Sequence, residues 1–153
     1  MKNKNIKEYA EKQASLPLFP INNKSIDLSF NLELVSSDGG LLLLREVDKR
    51  IGLISSVSEV IKDDRDQRYI HHSLKEMISQ RVYQITAGYE DCNDCDDLRN
   101  DSILKICSDR LPSSEGALAS QPTMCRLENS ISKTELLRVG LKLVDLFISS
   151  YSE

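Results

Sequence analysis

Two Ser-x-x-Glu motifs, each followed by apolar residues at helical spacing, constrain the fold of this chain most strongly. Ser73 and Glu76 open the first segment, and Ser132 and Glu135 open the second. In such a motif the serine side chain accepts a hydrogen bond from a backbone N–H of the first turn, and the glutamate side chain reaches back to the serine N–H. Each motif therefore predicts where an amphipathic helix begins.

Apolar side chains behind each motif recur every three or four residues, as they do along one face of a helix. The first segment predicts a central core helix, and the second predicts a helix that is mostly buried. The first stripe comprises Leu74, Met77, Ile78, Val82, Ile85 and Tyr89; the second comprises Leu137, Leu141, Val144 and Ile148, widened by Leu136, Leu143 and Phe147.

Shorter apolar segments predict helices over residues 41–51, 54–61 and around 103–106. Residues 26–34 alternate apolar and polar side chains, which predicts a short half-buried strand, or a hairpin if the chain turns at Asn31. The first 25 residues contain five lysines and two prolines, which predicts a flexible basic arm over residues 1–25. We therefore expect a mainly α-helical domain over residues 26–153, with a short N-terminal β-strand or hairpin.

The length of the chain and its pattern of apolar residues limit the classes of protein to which it can belong. The chain has 153 residues, of which 40% are hydrophobic, which suits one domain with its own core. None of its apolar segments reaches the roughly 20 residues that cross a bilayer, and no apolar segment follows the N-terminal lysines as in a secretory signal. We expect a cytoplasmic protein with no membrane partner, no small-molecule substrate and reduced thiols.

The net charge of −4 is concentrated in one place. Residues 90–101 contain six acidic side chains and one arginine, so the remainder of the chain is slightly basic. This balance excludes a non-specific coat for DNA, because phosphate binding of that kind requires clustered Lys and Arg. A local nucleic-acid contact remains open.

The stretch LASQPTMCRLEN, residues 118–129, predicts a helix with Ser120 as N-cap and Pro122 in its first turn. Its polar side chains suit nucleic acid: Arg pairs with guanine, Asn or Gln with adenine, and a helix N-terminus with phosphate. The alternative is an amphipathic surface helix whose polar face meets only water. The candidate DNA contacts are Gln121, Thr123, Arg126, Asn129 and Lys133.

The acidic stretch GYEDCNDCDDLRND, residues 88–101, raises the question of a metal site. Cys92 and Cys95 have zinc-ligand spacing, but a second matching pair is missing, even counting Cys107 and Cys125. A calcium loop fails because Asp96 replaces the required glycine at its sixth position. Catalytic carboxylates would need rigid elements around two ions. We predict no metal site, and expect these acids to cap short helices or to pair with Arg81 and Arg99.

Catalysis by a nucleophile also lacks support in the sequence. His71 and His72 have no Ser or Cys nucleophile in a recognisable turn, so they are interpreted as cap or surface residues. We predict no catalytic residue in this chain.

Three segments together resemble a known family: SSDGGLLLLREVDKRIGL at 36–53, HSLKEMISQRVYQITAGYEDCNDCDDLRND at 72–101 and LASQPTMCRLEN at 118–129. In order and spacing they resemble the N-terminal region of bacterial insertion-sequence transposases of the DDE domain group 1 type. The resemblance implies DNA transposition, with the terminal inverted repeats of the element as DNA partner. In that family three carboxylates on an RNase H-like fold hold two divalent metal ions, and the first of them follows the matched region. The resemblance therefore implies that this chain is an N-terminal fragment, which lacks the RNase H-like catalytic core and is inactive alone. Mg²⁺ is expected only for the full-length transposase.

Two hypotheses for function follow from the sequence and the resemblance. The first is a domain that binds element-end DNA through the candidate contacts and supports assembly, with a homodimer as a candidate partner state. The alternative is a protein-interaction and dimerisation scaffold that packs on the catalytic core without direct DNA contact. A nuclease acting through the acidic stretch is a third hypothesis.

Overall fold

A computed structural model describes residues 18–26, 37–113 and 116–151, which form seven α-helices and a 3-10 helix, Gln67–Tyr69. Within these residues the only β-type pairing is an isolated bridge between Ile21 and Lys24. The predicted mainly α-helical fold is confirmed, whereas the strand or hairpin predicted for residues 26–34 lies outside the described residues except for Ile26. The helices are α1 (Leu41–Ile51), α2 (Leu53–Val60), α3 (Leu74–Thr86), α4 (Asp94–Leu98), α5 (Ser102–Cys107), α6 (Gln121–Ser130) and α7 (Lys133–Ser149).

The break between α1 and α2 depends on Gly52. Its φ of 71° is in the left-handed region, which glycine adopts without the steric cost that a Cβ adds. The Gly52 N–H donates to the Asp48 carbonyl oxygen at 2.7 Å, and the Asp48 side chain accepts from Ile54 N at 2.9 Å. The predicted end of the first helix near Gly52 is confirmed.

The main hydrophobic core lies where α3 meets α2 and α5, and where α1 meets α2 and α5. Such burial supplies most of the driving force for folding, at about 25 cal/mol per Å² of apolar surface. Its buried apolar side chains include Leu41, Leu42, Ile54, Ile78, Tyr83, Leu104 and Leu118.

The buried face of α3 differs from the one that its apolar stripe predicts. Met77 and Ile78 are buried as expected, but Ile85 is 48% exposed, so its predicted place in the core was wrong. Gln80 and Gln84 are instead fully buried. The reason is that α3 is covered on two sides, by α2 and α5 and by the chain before α6, so polar positions outside the stripe are also enclosed.

Helix α7 does not have the mostly buried position predicted for it, because no residue of α7 is buried. It packs against α2 along one narrow edge, formed by the less exposed side chains of Glu135, Val139, Lys142 and Leu146. The apolar stripe is too wide for that single contact. Seven large apolar side chains of α7 are therefore exposed: Leu136, Leu137, Leu141, Leu143, Val144, Phe147 and Ile148.

A buried arginine joins the segment before α1 to the turn after α5. Arg45 is 1% exposed, and its guanidinium donates to the Phe19 carbonyl oxygen and to Asp109 Oδ1, each at 2.8 Å. A buried charge is tolerated only with such partners. Of the predicted basic arm, residues 1–17 lie outside the described residues, and in the described part Ile21 is 4% exposed.

The two Ser-x-x-Glu motifs begin α3 and α7 as predicted. Ser73 Oγ accepts from Glu76 N at 3.1 Å, but the Glu76 carboxylate accepts from Arg110 Nη2 at 2.7 Å rather than closing the box. The second box is closed, because Glu135 Oε2 accepts from Ser132 N at 2.8 Å. Its other oxygen accepts from the backbone N–H of Lys62, just beyond α2, at 2.8 Å. Glu135 therefore ties α7 to the end of α2.

The hydrogen bonds to Glu135 predict a pH-dependent stability. Bonds from the Ser132 side chain, and then from the backbone N–H groups of Lys62 and Ser132, lower the pKa of Glu135 from 4.5 to about 2. A pKa that is lowered in the folded state contributes stability that is present above the pKa of the unfolded chain and is lost as the carboxylate is protonated.

We expect urea denaturation to show Glu135→Gln less stable than the native chain at pH 6. The difference in the free energy of unfolding should shrink as the pH falls from 4.5 toward 2. Glu59→Gln, at an exposed glutamate of α2, is the control for the loss of one carboxylate. A pH dependence of the Glu135→Gln difference no larger than that of this control would contradict the prediction.

Candidate nucleic-acid interface

Helix α6 is held in place by the side chain of one buried glutamine. Gln80 of α3 donates from Nε2 to the Ala119 carbonyl oxygen and accepts at Oε1 from the Ala119 N–H, both at 2.9 Å. Both residues are 0% exposed. The preceding N–H, that of Leu118, donates to the Arg99 carbonyl oxygen at 2.8 Å. The chain that enters α6 is thus fixed to α3 and to the turn after α4.

The inner face of α6 packs into a second, smaller hydrophobic cluster. Met124 and Leu127 of α6 join Met77, Cys95 and Ala119 there, and Met124 is fully buried. The outer face is polar, as the amphipathic pattern predicts. Its orientation is fixed because the inner face is enclosed and the entering chain is bonded to Gln80.

The start of α6 is capped differently from the prediction. Ser120 occupies the N-cap position as predicted, but its side chain makes no capping hydrogen bond to the backbone; its Oγ lies 3.2 Å from Thr123 Oγ1. Asp96 Oδ1 accepts instead from the Gln121 N–H at 3.0 Å. A carboxylate already occupies this helix N-terminus, where negative charge is favoured. Phosphate binding at this end, which the sequence suggested, would compete with Asp96.

The five candidate DNA contacts divide into two groups in the structure. Arg126, Asn129 and Lys133 are exposed. Gln121 and Thr123 are half-buried: Gln121 Nε2 donates to Cys125 Sγ at 3.3 Å, and Thr123 Oγ1 accepts from Arg126 Nη2 at 3.3 Å. The structure brings Arg126 and Asn129 together, one turn apart on the outer face of α6.

Lys133 does not lie on α6, although the sequence placed it on that helix face. The helix ends at Ser130, Ile131 has an extended backbone, and Lys133 is the first residue of α7. The physical reason is the Ser132–Glu135 capping box, which starts a new helix. Lys133 therefore lies on a different helix from Arg126 and Asn129, although it is close to them in the chain.

The acidic stretch before α6 serves largely as a set of helix and turn caps. Asp101 Oδ1 accepts from Leu104 N at the start of α5, and Asp91 Oδ1 accepts from Asn93 N, each at 2.9 Å. The predicted capping of a short helix is confirmed for Asp101, Asp96 caps α6 in addition, and Asp91 stabilises the turn before α4. Arg81, expected to pair with this stretch, binds Glu128 of α6 at 2.6 Å and the Glu90 carbonyl oxygen at 2.7 Å.

The cysteines of this region are thiols in contact with oxygen acceptors. Cys92 Sγ donates to Glu128 Oε2 at 3.3 Å, and the buried Cys95 Sγ donates to Gln84 Oε1 at 3.2 Å. Burial, followed by hydrogen bonding to Glu128, raises the pKa of Cys92 to about 12, which disfavours the thiolate that zinc would bind. Across the described ranges, no three His, Cys, Asp or Glu side chains are grouped as a metal site requires.

His72 is also committed to a structural contact. Its Nδ1 lies 3.0 Å from Glu76 Oε1, the same oxygen that binds Arg110. No local pattern in the chain predicted the Arg110 partner, or the roles of Gln80 and Asp96. All three contacts join residues that are more than 20 positions apart, and polar side chains of these types have many alternative partners.

The sequence profile of one protein family, transposase DDE domain group 1, matches residues 19–153. The chain belongs to this family. The resemblance to DDE domain group 1 transposases is thereby confirmed, and the family indicates a function related to DNA transposition. No curated protein and no solved structure matches the chain. Among the described residues of this transposase-family chain, no helix is both long and apolar enough to cross a membrane.

The pairing of Gln80 with Ala119 predicts a large loss of stability when it is removed. Gln80→Met keeps a side chain of similar length but leaves two buried backbone groups of Ala119 unpaired, at about 1–3 kcal/mol each. Gln84→Met is a matched control on the same helix. Gln84 is also fully buried. Its Oε1 accepts from the Cys95 thiol, and its Nε2 has no hydrogen-bond partner within the described residues. We expect chemical denaturation to show Gln80→Met the less stable by about 2 kcal/mol or more, and equal losses in the two variants would contradict this.

Proposed function

We propose that this chain contacts DNA during transposition through the outer face of α6, with Arg126 and Asn129 as base readers and Lys133 as a phosphate contact. The observation that carries the proposal is the exposure of Arg126 and Asn129 together, on a helix whose opposite face is buried at Met124 and Leu127. A fixed helix with an exposed Arg and Asn is the arrangement that reads base edges in a major groove. Family membership supports a DNA partner in general.

The charge along α6 and at the start of α7 also favours this surface over the rest of the chain. Residues 118–133 contain two basic side chains and one acidic side chain, whereas the whole chain has a net charge of −4. The one acid, Glu128, is bound to Arg81. Because phosphate attraction depends on local positive charge, this surface is better suited to DNA than the acidic residues 90–101 are.

Two features of the site set limits on how it would bind. Asn129 Nδ2 donates to the Cys125 carbonyl oxygen at 2.8 Å, so contact with an adenine would exchange this exposed bond. Asp96 occupies the helix N-terminus, so a phosphate would be bound beside α6 by Lys133 rather than at its end. We propose terminal inverted repeats as the DNA partner. Catalysis by the family's metal-binding carboxylates is assigned to no residue of this chain.

Arg126→Ala tests base reading. A duplex selected by the chain from a library of short randomised duplexes, and a shuffled duplex of the same composition, are compared by fluorescence anisotropy. If Arg126 reads a base, the variant loses roughly 1–3 kcal/mol of discrimination between the two duplexes. Arg68→Ala is the control, because Arg68 is 79% exposed and its loss changes the net charge equally. Equal discrimination in the native chain and Arg126→Ala would contradict the assignment.

Lys133→Ala separates phosphate contact from base reading. A lysine that binds only phosphate contributes equally to both duplexes and to the salt dependence of binding. We expect both dissociation constants to rise by a similar factor, with the slope of log Kd against log salt reduced by about 1. A change confined to the selected duplex would contradict the phosphate assignment.

A second candidate function is favoured by the exposed apolar side chains of α7. A scaffold that packs on another protein surface would cover these residues, which water contacts in the isolated chain. The two functions are compatible, because α6 and α7 expose different kinds of surface. An isolated chain that self-associates and shows no DNA affinity at low salt would favour the scaffold alone.

A further inference from the structure

Four exposed apolar residues of α7 form a seam with the spacing of a coiled coil. Leu137, Leu141, Val144 and Ile148 follow one another at intervals of four, three and four residues, and they are 51–65% exposed. This spacing matches the a and d positions of a heptad, which pack against a second helix. The edge of α7 that contacts α2 is a different one, so the seam is directed away from the rest of the described chain.

The exposed apolar area of α7 is close to that of a specific protein interface. Seven of its large apolar side chains are 46–65% exposed. A second helix on the seam would cover five of them, the four seam residues and Phe147, and at on the order of 100 Å² of exposed area each these supply a large part of the roughly 800 Å² per partner that such an interface buries. The face is therefore large enough for a helix partner and unusually apolar for a surface in contact with water.

The residues that flank the seam on one copy of α7 complement those on a second copy only when the two helices run antiparallel. Arg138 and Asp145 flank one side of the seam, and Gly140 and Phe147 flank the other. When two such helices pair antiparallel around a two-fold axis, each side meets the same side of the other helix. Arg138 then faces Asp145 of the second copy, and Phe147 faces Gly140 of the second copy.

The glycine makes room for the aromatic ring. A Cβ placed at Gly140 would meet no atom within 4 Å in the described chain, so the surface there is open. In the antiparallel pair the seam residues also match, with Leu137 opposite Ile148 and Leu141 opposite Val144. A parallel pair would instead bring Lys133 of one helix toward Arg138 of the other, placing like charges together.

We propose that α7 is a homodimerisation helix, which pairs antiparallel with α7 of a second copy through the seam and is oriented by reciprocal Arg138–Asp145 ion pairs. The proposal is independent of DNA contact by α6. It identifies the partner as a second copy of this chain, because that partner supplies both the complementary charges and the glycine opposite the phenylalanine.

Charge reversal tests the proposal by sedimentation equilibrium on the full chain. Arg138→Asp and Asp145→Arg each place like charges across the two-fold axis, so we expect each to raise the dimer dissociation constant about tenfold or more. The double variant Arg138→Asp/Asp145→Arg restores the opposite charges and is expected to return the constant to within about threefold of the native value. Leu43→Lys, at a 53% exposed leucine of α1, is the control and leaves the constant unchanged.

A glycine substitution separates loss of pairing from loss of folding. Gly140→Leu raises the helix propensity of α7 but fills the space that faces Phe147 of the second copy. We expect weaker dimerisation, with an unchanged or higher melting temperature when both chains are compared at a concentration at which they are monomeric, because association by itself raises the melting temperature. A native chain that stays monomeric at all concentrations would overturn the proposal, and so would a dimer whose dissociation constant is unaffected by the single charge reversals or not restored in the double variant. DNA affinity is measured separately, so failure of the dimer leaves the α6 contact intact.

Discussion

The position of the candidate DNA-contacting helix depends on two hydrogen bonds from one side-chain amide. Gln80 pairs with both backbone groups of Ala119, as a neighbouring strand would. The described residues contain no sheet to which the chain before α6 could be bonded, and buried backbone groups require partners. Because the pair is fully buried, water cannot replace it. The direction in which Arg126 faces is thus set by a residue on another helix.

Carboxylate side chains also stabilise the fold, because they accept hydrogen bonds from backbone N–H groups where helices begin. Asp96 caps α6, Asp101 caps α5, and Glu135 caps α7 while binding the end of α2. These contacts bear on how an acidic stretch can lie beside the surface proposed to contact DNA. Part of its negative charge is offset by hydrogen bonds from backbone N–H groups at helix N-termini, where the helix dipole is positive. A phosphate at the first turn of α6 would compete with Asp96.

The sequence predicted the local features well and the contacts between helices poorly. The starts of α3 and α7 and the break at Gly52 follow from residues adjacent in the chain, so periodicity and capping motifs identified them. Helix α7 was placed in the core because an apolar stripe does not specify whether its partner lies in the same chain. Burial of Gln80 and capping by Asp96 depend on distant segments, and no local pattern in the chain encodes such pairings.

The most direct test of the account is a backbone-amide NMR titration of the chain with the selected duplex. The account predicts that chemical-shift changes are concentrated at Arg126 and Asn129 of α6 and at Lys133, while the Ala119 amide keeps its bond to Gln80 and changes little. Changes concentrated in residues 90–101 or along α3, with α6 unaffected, would contradict the claim that α6 is the DNA-contacting helix.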